Sequence, residues 1–234
     1  MALILGFTPG LIWLAFFLKE DIHPEPRKMI IRVFIVGGLS AFVALILEYF
    51  TSDFLKNAVF AISNFSSVNL SPFLGFAVIE EVVKFIFVWK VIHKSPYFDE
   101  PIDAMIYMVT GALGFATAEN FFLMLSNSTG DAFTVILLRF VGATLLHALS
   151  SAVVGYMWAW GLKRKMTPVY LAWGIILAAL FHAIFNFLVY QYNNLLIYPT
   201  AFLAAIGFVV LYDFEKLRKL EMEDEKNEAV ISNK

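Results

Sequence analysis

The stretch Phe73-Leu-Gly-Phe-Ala-Val-Ile-Glu80-Glu81-Val-Val-Lys84-Phe-Ile-Phe-Val-Trp89 decides the class of fold. Apart from three ionisable residues it is apolar throughout, and it approaches the roughly 20 residues that a helix needs to cross a bilayer. A charge at the bilayer centre costs about 2.5–3.5 kcal/mol on the translocon scale, so Glu80, Glu81 and Lys84 require partners. Lys84 falls one turn from Glu80 and three residues from Glu81, on one helix face, and two adjacent carboxylates can share a proton. A charge cluster that only locks helices together would meet the same requirement. The other apolar runs decide between packing and chemistry.

Six further runs of this kind surround it. The chain has 234 residues, of which 60% are hydrophobic and 15% charged, with mean hydropathy +0.77, which is the composition of a polytopic membrane protein. Apolar segments at 3–18, 30–48, 72–90, 102–125, 133–161, 168–190 and 196–212 predict seven helices in an all-α transmembrane bundle. Residues 53–70 are too polar to span. Phe54, Leu55, Ala58, Val59, Ile62 and Phe65 recur there at helical spacing, which predicts a helix lying in the interface. Residues 1–213 form the membrane domain, and 214–234 a charged cytoplasmic tail, read as a short solvated helix or disordered. The net charge of −2 is uninformative, but the absence of cysteine excludes a thiol nucleophile, thiolate metal ligands and disulfides.

Basic residues occupy alternate loops. Lys19, Arg27, Lys28 and Arg32 flank the first, Lys90 and Lys94 the third, and Lys163, Arg164 and Lys165 the fifth. By the positive-inside rule the N-terminus is outside and the C-terminus cytoplasmic.

With that orientation the intramembrane polar residues fall at matched depth. Glu80 and Glu81 lie ~12 Å below the outer surface and Glu119 ~9 Å, at 1.5 Å per residue. His182 and Asn186 share the outer half of span six, and His147 with Ser151 sits near mid-membrane in span five. Asn120 follows Glu119, and Arg139 stands near the start of span five. Packing residues would scatter through the bilayer; this set describes a polar cavity open to the outside. A carboxylate can act as general base on water while a His or Asn donor holds an oxyanion. Alternatively Glu80, Glu81, His147 and His182 can ligate a metal, as in zinc sites built from two His and a Glu. The chain lacks His-Glu-x-x-His, Gly-x-Gly-Asp and Gly-x-Ser-x-Gly, so other hydrolase signatures are absent. A proton- or ion-coupled transporter and a non-catalytic scaffold are the other classes that carry such residues. No internal repeat or paired broken helices of the transporter kind are visible.

Read together, the motifs resemble the PrsW-type intramembrane proteases, relatives of the CAAX prenyl endopeptidases and bacteriocin-processing proteins. The resemblance runs from about Pro9 to Asn186. It rests on Asp21-Ile-His-Pro-Glu-Pro26, Glu80-Glu81-x-x-Lys84, Glu100-Pro-x-Asp103, Gly114-Phe-Ala-x-x-Glu119-Asn120, Arg139, His147 with Ser151, and His182-x-x-x-Asn186. Lys84 stands where the CAAX branch has an arginine. The resemblance implies a multi-pass protease of the bacterial cytoplasmic membrane that makes the first, extracytoplasmic cut in a membrane-anchored anti-sigma factor. It also implies a base at Glu80 or Glu81, assisted by His147 and His182, with Asn186 at the oxyanion. Lys84, Glu119, Asn120, Arg139 and Ser151 are the expected supporting residues. Zinc is an open option, but hydrolysis without a required cofactor is expected. Neither His belongs to a His-x-x-x-His pair, and Lys84 beside the glutamates would repel a divalent ion. Membrane-anchored protein substrate and lipid are the expected partners, with no role for nucleic acid.

The topology is open to direct test in this cysteine-free chain. A Lys165→Cys variant in intact cells should resist an impermeant thiol reagent, whereas an Asp53→Cys variant should react. The opposite pattern would reverse the orientation.

Overall fold

The protein is described by a computed structural model covering residues 2–63, 70–126, 132–192 and 195–232. Among these residues the fold is entirely helical, in eight elements: α1 (Ala2–Phe17), α2 (Arg27–Ser63), α3 (Ser71–Ile92), α4 (Asp103–Ser126), α5 (Ala132–Val141), α6 (Ala143–Lys163), α7 (Thr167–Gln191) and α8 (Ile197–Ser232). Prolines at 72 and 168 sit in the first turns of α3 and α7, where a missing N–H costs nothing. The α6–α7 turn closes with Lys165 N–H on Leu162 O and Met166 N–H on Gly161 O. Lys165 there takes the left-handed conformation, φ 55°, that ends many helices.

At the centre stand α4 and α6, with α1 and α2 packed on α4, α7 on α6, and α3 between α2 and α7. From Asp103 to Thr117 every residue of α4 is buried. Small residues make this possible, because helices in lipid associate by close van der Waals approach. At the α2–α4 crossing a Cβ on Gly114 would lie 1.9 Å from Phe34 O, and one on Gly37 would lie 2.0 Å from Gly111 O. On the opposite side of α2, Ile31, Ile35, Leu39, Phe42 and Ile46 are exposed. Apolar residues three and four apart on an outer face belong to a helix solvated by lipid. The chain is a multi-pass membrane protein. Five segments are long and apolar enough to cross a bilayer: Arg27–Ser52, Asp103–Leu125, Thr134–Lys163, Thr167–Gln191 and Ile197–Asp224. Of the other two expected spans, α1 contributes a shorter apolar helix and α3 carries Glu80, Glu81 and Lys84.

Three expectations need correction. The segment 133–161 is broken at Gly142 (φ −96°, ψ −98°) into α5 and α6. The phenyl ring of Phe185 lies 3.4 Å from where a Gly142 Cβ would be. Residues 53–63 continue α2 without a break, so no separate interfacial helix starts at 53; residues 64–69 of that segment lie outside the described residues. The charged tail is not freely solvated. It prolongs α8, whose Phe214, Leu217 and Glu221 are buried, and Lys163 Nζ donates to Asp224 Oδ2 at 2.9 Å.

The crossing of α2 and α4 gives a stability prediction. Gly114→Leu has no room beside the Phe34 carbonyl, and overpacking of this kind costs about 1–3 kcal/mol or more. Purified variant should melt well below wild type or fail to accumulate; an unchanged melting temperature would show that the helices are not in this contact.

Candidate active site

Three helices supply the innermost layer. Glu80, Glu81 and Lys84 project from α3, His147, Ser150 and Ser151 from α6, and His182 from α7, and all seven are buried. One turn of α3 presents both glutamates and the lysine to the seam between α6 and α7. His147 with Ser151, and the neighbouring Ser150, meet them because residues three and four apart share a helix face.

Glu81 is the most completely satisfied group. Its Oε1 accepts from Lys84 Nζ at 2.6 Å, Ser150 Oγ at 3.0 Å and His182 Nδ1 at 3.1 Å, and its Oε2 accepts from Ser151 Oγ at 3.2 Å. Both members of the Glu81–Lys84 pair are fully buried. The carboxylate can only accept, so His182 carries its proton on Nδ1 and leaves Nε2 as a lone pair. His147 is held in the same way. Lys84 Nζ lies 3.2 Å from His147 Nδ1, and His147 Nε2 lies 2.9 Å from Glu119 Oε2. Its proton therefore sits on Nε2 and its lone pair on Nδ1. Two carboxylates thus set two imidazoles, each through one ring nitrogen.

His147 Nδ1, which faces Lys84, and the unengaged His182 Nε2 both approach Glu80. Its Oε2 lies 3.7 Å from His147 Nδ1 and 3.8 Å from His182 Nε2. That oxygen is buried and has no hydrogen-bond partner, a costly state for a carboxylate. The three ligand atoms lie within 4.8 Å of one another. Ligands at about 2.0–2.2 Å from a tetrahedral ion are separated by about 3.3–3.6 Å, so a small contraction would seat zinc. Both rings already donate their far N–H to carboxylates, the arrangement that orients zinc-bound histidines. The donor set fits a metal. Lys84 is paired with Glu81, and its ammonium would have to leave His147 Nδ1 for a metal to bind there.

An outer layer supports Glu119. Arg139 on α5 donates through Nη2 to Glu119 Oε2 at 3.1 Å and through Nε to Asn120 Oδ1. Asn120 Nδ2 donates to Thr144 Oγ1 at 3.2 Å. Arg139 also lines a cavity of about 570 Å³ between α5, α7 and α8. Asn186 lies there too, with apolar walls from Leu137, Val141, Leu196 and Leu203. The structure therefore brings together Glu80, Glu81, Lys84, His147, Ser151 and His182, attaches Glu119, Asn120 and Arg139 through His147, and places Asn186 on the neighbouring cavity wall.

Sequence reasoning missed three polar residues here. Ser150 bonds Glu81 and lies three residues after His147, a spacing that puts it near the same helix face. Thr144, one turn before His147, shares its helix face and was a legible signal. Glu48 on α2 lies close enough to Glu80 and Glu119 for their charges to interact. Its position at the end of an apolar run gave no indication of which way it would turn.

Comparison with known proteins agrees with this geometry. The family described as PrsW family intramembrane metalloprotease matches residues 25–213. A protein named protease PrsW from Oceanobacillus iheyensis is 28% identical over 216 residues, covering 90% of this chain and 93% of its own length. The protease PrsW of Bacillus subtilis is 27% identical, covering 93% of this chain and 95% of its own. That of Clostridioides difficile is 28% identical, covering 93% and 89%. No solved structure matches the chain. With a family match over most of its length and a buried Glu–His–His set inside a helical membrane bundle, this chain belongs to the PrsW family of intramembrane proteases.

Proposed function

We propose that the chain cuts a membrane-anchored protein on its extracytoplasmic side, the first cut in an anti-sigma factor, with a metal held by Glu80, His147 and His182. The observation that carries this reading is the convergence of Glu80 Oε2, His147 Nδ1 and His182 Nε2, with the opposite ring nitrogens pinned by Glu119 and Glu81. Seven crossings with the N-terminus outside would open this cluster outward. A zinc ion there would polarise the scissile carbonyl and bring the pKa of a water to about 7.

The protein's own groups divide the remaining work. Glu81 accepts four hydrogen bonds and is a positioning residue, which leaves Glu80 as the reactive member of the pair. Glu119, more exposed than Glu80 (26% against 11% of the side chain), takes up a proton drawn from that water. Asn186 and Arg139 face the cavity and supply donors to a carbonyl oxygen entering from that side. The apolar cavity wall suits a transmembrane segment, and Arg139, which bonds Glu119, links the cavity to the cluster. A second reading has support from one contact: Lys84 donates to His147 Nδ1, the atom a metal would need. Under it Glu80 is a metal-free general base, as the sequence alone suggested.

Purified protein and a single-span anti-sigma-type substrate test both. Glu80→Gln and His182→Ala should each lower cleavage by about 10²–10⁴-fold or more while the protein stays folded and inserted. Near-normal turnover in both would refute hydrolysis at this site. A chelator should abolish wild-type activity and added zinc restore it; full activity in chelator would favour the metal-free base.

Stability separates Glu81 from Glu80. Lys84→Met strands the Glu81 carboxylate, and breaking a buried pair costs about 3–5 kcal/mol. The Lys84→Met/Glu81→Gln double variant should recover much of that loss in a thermal melt. Purely additive losses would show that the two do not form the pair described.

A further inference from the structure

The cavity that Arg139 and Asn186 line stands in a definite relation to the cluster. α5 packs on α1 and α6, and α8 packs on α6 and α7, leaving about 570 Å³ between the ends of α5, α7 and α8. Its wall includes Ala143, one turn before His147 on α6, and Asn186, one turn after His182 on α7. Four residues are about 6 Å of helix rise, so the cavity lies a single turn from both histidines. Leu137, Val189 and Leu196, also in its lining, are exposed, so it opens sideways toward lipid as well as inward.

Two polar groups in this lining are unsatisfied. Arg139 donates through Nη2 to Glu119 and through Nε to Asn120. Among the described residues nothing accepts from its Nη1, and the Asn186 amide makes no hydrogen bond. Unsatisfied polar groups beside lipid are costly, and the occupant of the cavity decides that cost. An acyl chain offers neither donor nor acceptor. An anionic headgroup finds no unpaired charge, because Glu119 already pairs with Arg139 at 3.1 Å. Peptide backbone offers a carbonyl to the guanidinium, and both a carbonyl and an N–H to an amide that donates and accepts. A helix in lipid keeps those groups bonded internally, so only an unwound turn presents them. The space agrees: one helical turn with its side chains, a cylinder about 10–12 Å wide and 5.4 Å long, fills about 420–610 Å³. A second cavity, of about 240 Å³ between α1, α2 and α4, lacks this character. The one hydroxyl in its lining, of Thr117, already donates to Leu113 O at 2.7 Å.

We propose, on the reading that the Glu80 cluster cuts a membrane-anchored protein, that the opening between α5 and α8 is the lateral entrance for that substrate. The outer turn of the substrate's span enters from lipid, unwinds there and is held by Arg139 Nη1 and Asn186. Leu137, Val141, Leu196 and Leu203 receive its apolar side chains. The unwound stretch then leads one turn inward to His147 and His182, where the peptide bond is cut. The substrates selected are single-span proteins whose outer turn is built from weak helix formers such as Gly, Asn and Ser, which give up their helical bonds most readily.

Photocrosslinking on purified full-length protein provides the test, with a single-span substrate and benzoylphenylalanine at one position at a time in the Glu80→Gln background. Probes at Leu137 and Val189 should capture the substrate, whereas one at Leu39, in the second cavity, should not. Thr200→Trp fills the entrance from an exposed position of α8. It should lower capture at Leu137 and, in otherwise wild-type protein, slow cleavage about tenfold or more with an unchanged melting temperature. A substrate whose outer turn is changed to Leu and Ala should be cut several-fold more slowly than one with Gly and Asn there. Capture needs no turnover, so it is read separately from hydrolysis, which wild-type protein on the same substrate reports. Three results would overturn the entrance: capture from Leu39 as strong as from Leu137 and Val189, lipid captured at Leu137 in place of substrate, or full cleavage by a Thr200→Trp variant that melts like wild type. Equal cleavage of the two substrates would overturn binding in unwound form.

Discussion

The buried pair of Glu81 and Lys84 is the interaction on which the rest of the structure depends. Two opposite charges three residues apart on α3 have no water to solvate them. Their burial is tolerable only if every remaining lone pair finds a donor. Ser150 and Ser151 of α6 and His182 of α7 provide those donors. The constraint therefore fixes more than the pair: it sets the rotation of three helices about a common point. A helix in lipid has no hydrophobic effect to hold its register, and this polar knot supplies what packing alone does not.

The reactive geometry follows from that knot. Glu81 takes His182 Nδ1 and so turns Nε2 inward; Glu119, held by Arg139, takes His147 Nε2 and turns Nδ1 inward. Glu80 is left next to both lone pairs with an oxygen that nothing satisfies. Adjacent glutamates on one helix thus have opposite fates. One is saturated and structural, the other unsatisfied and available, and the difference arises from which way each faces. The same contrast recurs at the other end of the bundle, where Glu100 and Glu221 keep orphaned oxygens among loops otherwise closed by their own hydrogen bonds.

Much of this was legible in the residues. Three charges within one turn of an apolar run demand an intramembrane partner, and the matched depth of Glu119, His147 and His182 identified the partners. Helical class and membrane placement followed from apolar run length. What escaped was set by tertiary contact. The break at Gly142 leaves no trace in hydropathy, because α5 and α6 are both apolar and the chain turns only where α7 packs against it. The tail reads as solvated by its alternating charges, yet Phe214, Leu217 and Glu221 lie on one face that meets the bundle. Asn186 shares a face with His182 one turn away, and at that spacing a residue can reach the same site or the next cavity. The expectation of metal-free hydrolysis leaned on the missing His-x-x-x-His pair, but ligands from three helices need no such spacing. It also weighed Lys84 as a fixed cation beside the glutamates, and the ammonium does lie between Glu81 and His147 Nδ1.

X-ray absorption at the zinc edge on purified, active protein tests the central claim most directly. The account predicts one zinc per chain, two nitrogen ligands at about 2.0–2.1 Å and a carboxylate oxygen at about 2.0–2.2 Å. One nitrogen should be lost in His182→Ala and the oxygen in Glu80→Gln. Fully active protein without zinc, or a zinc spectrum unchanged by both substitutions, would contradict it.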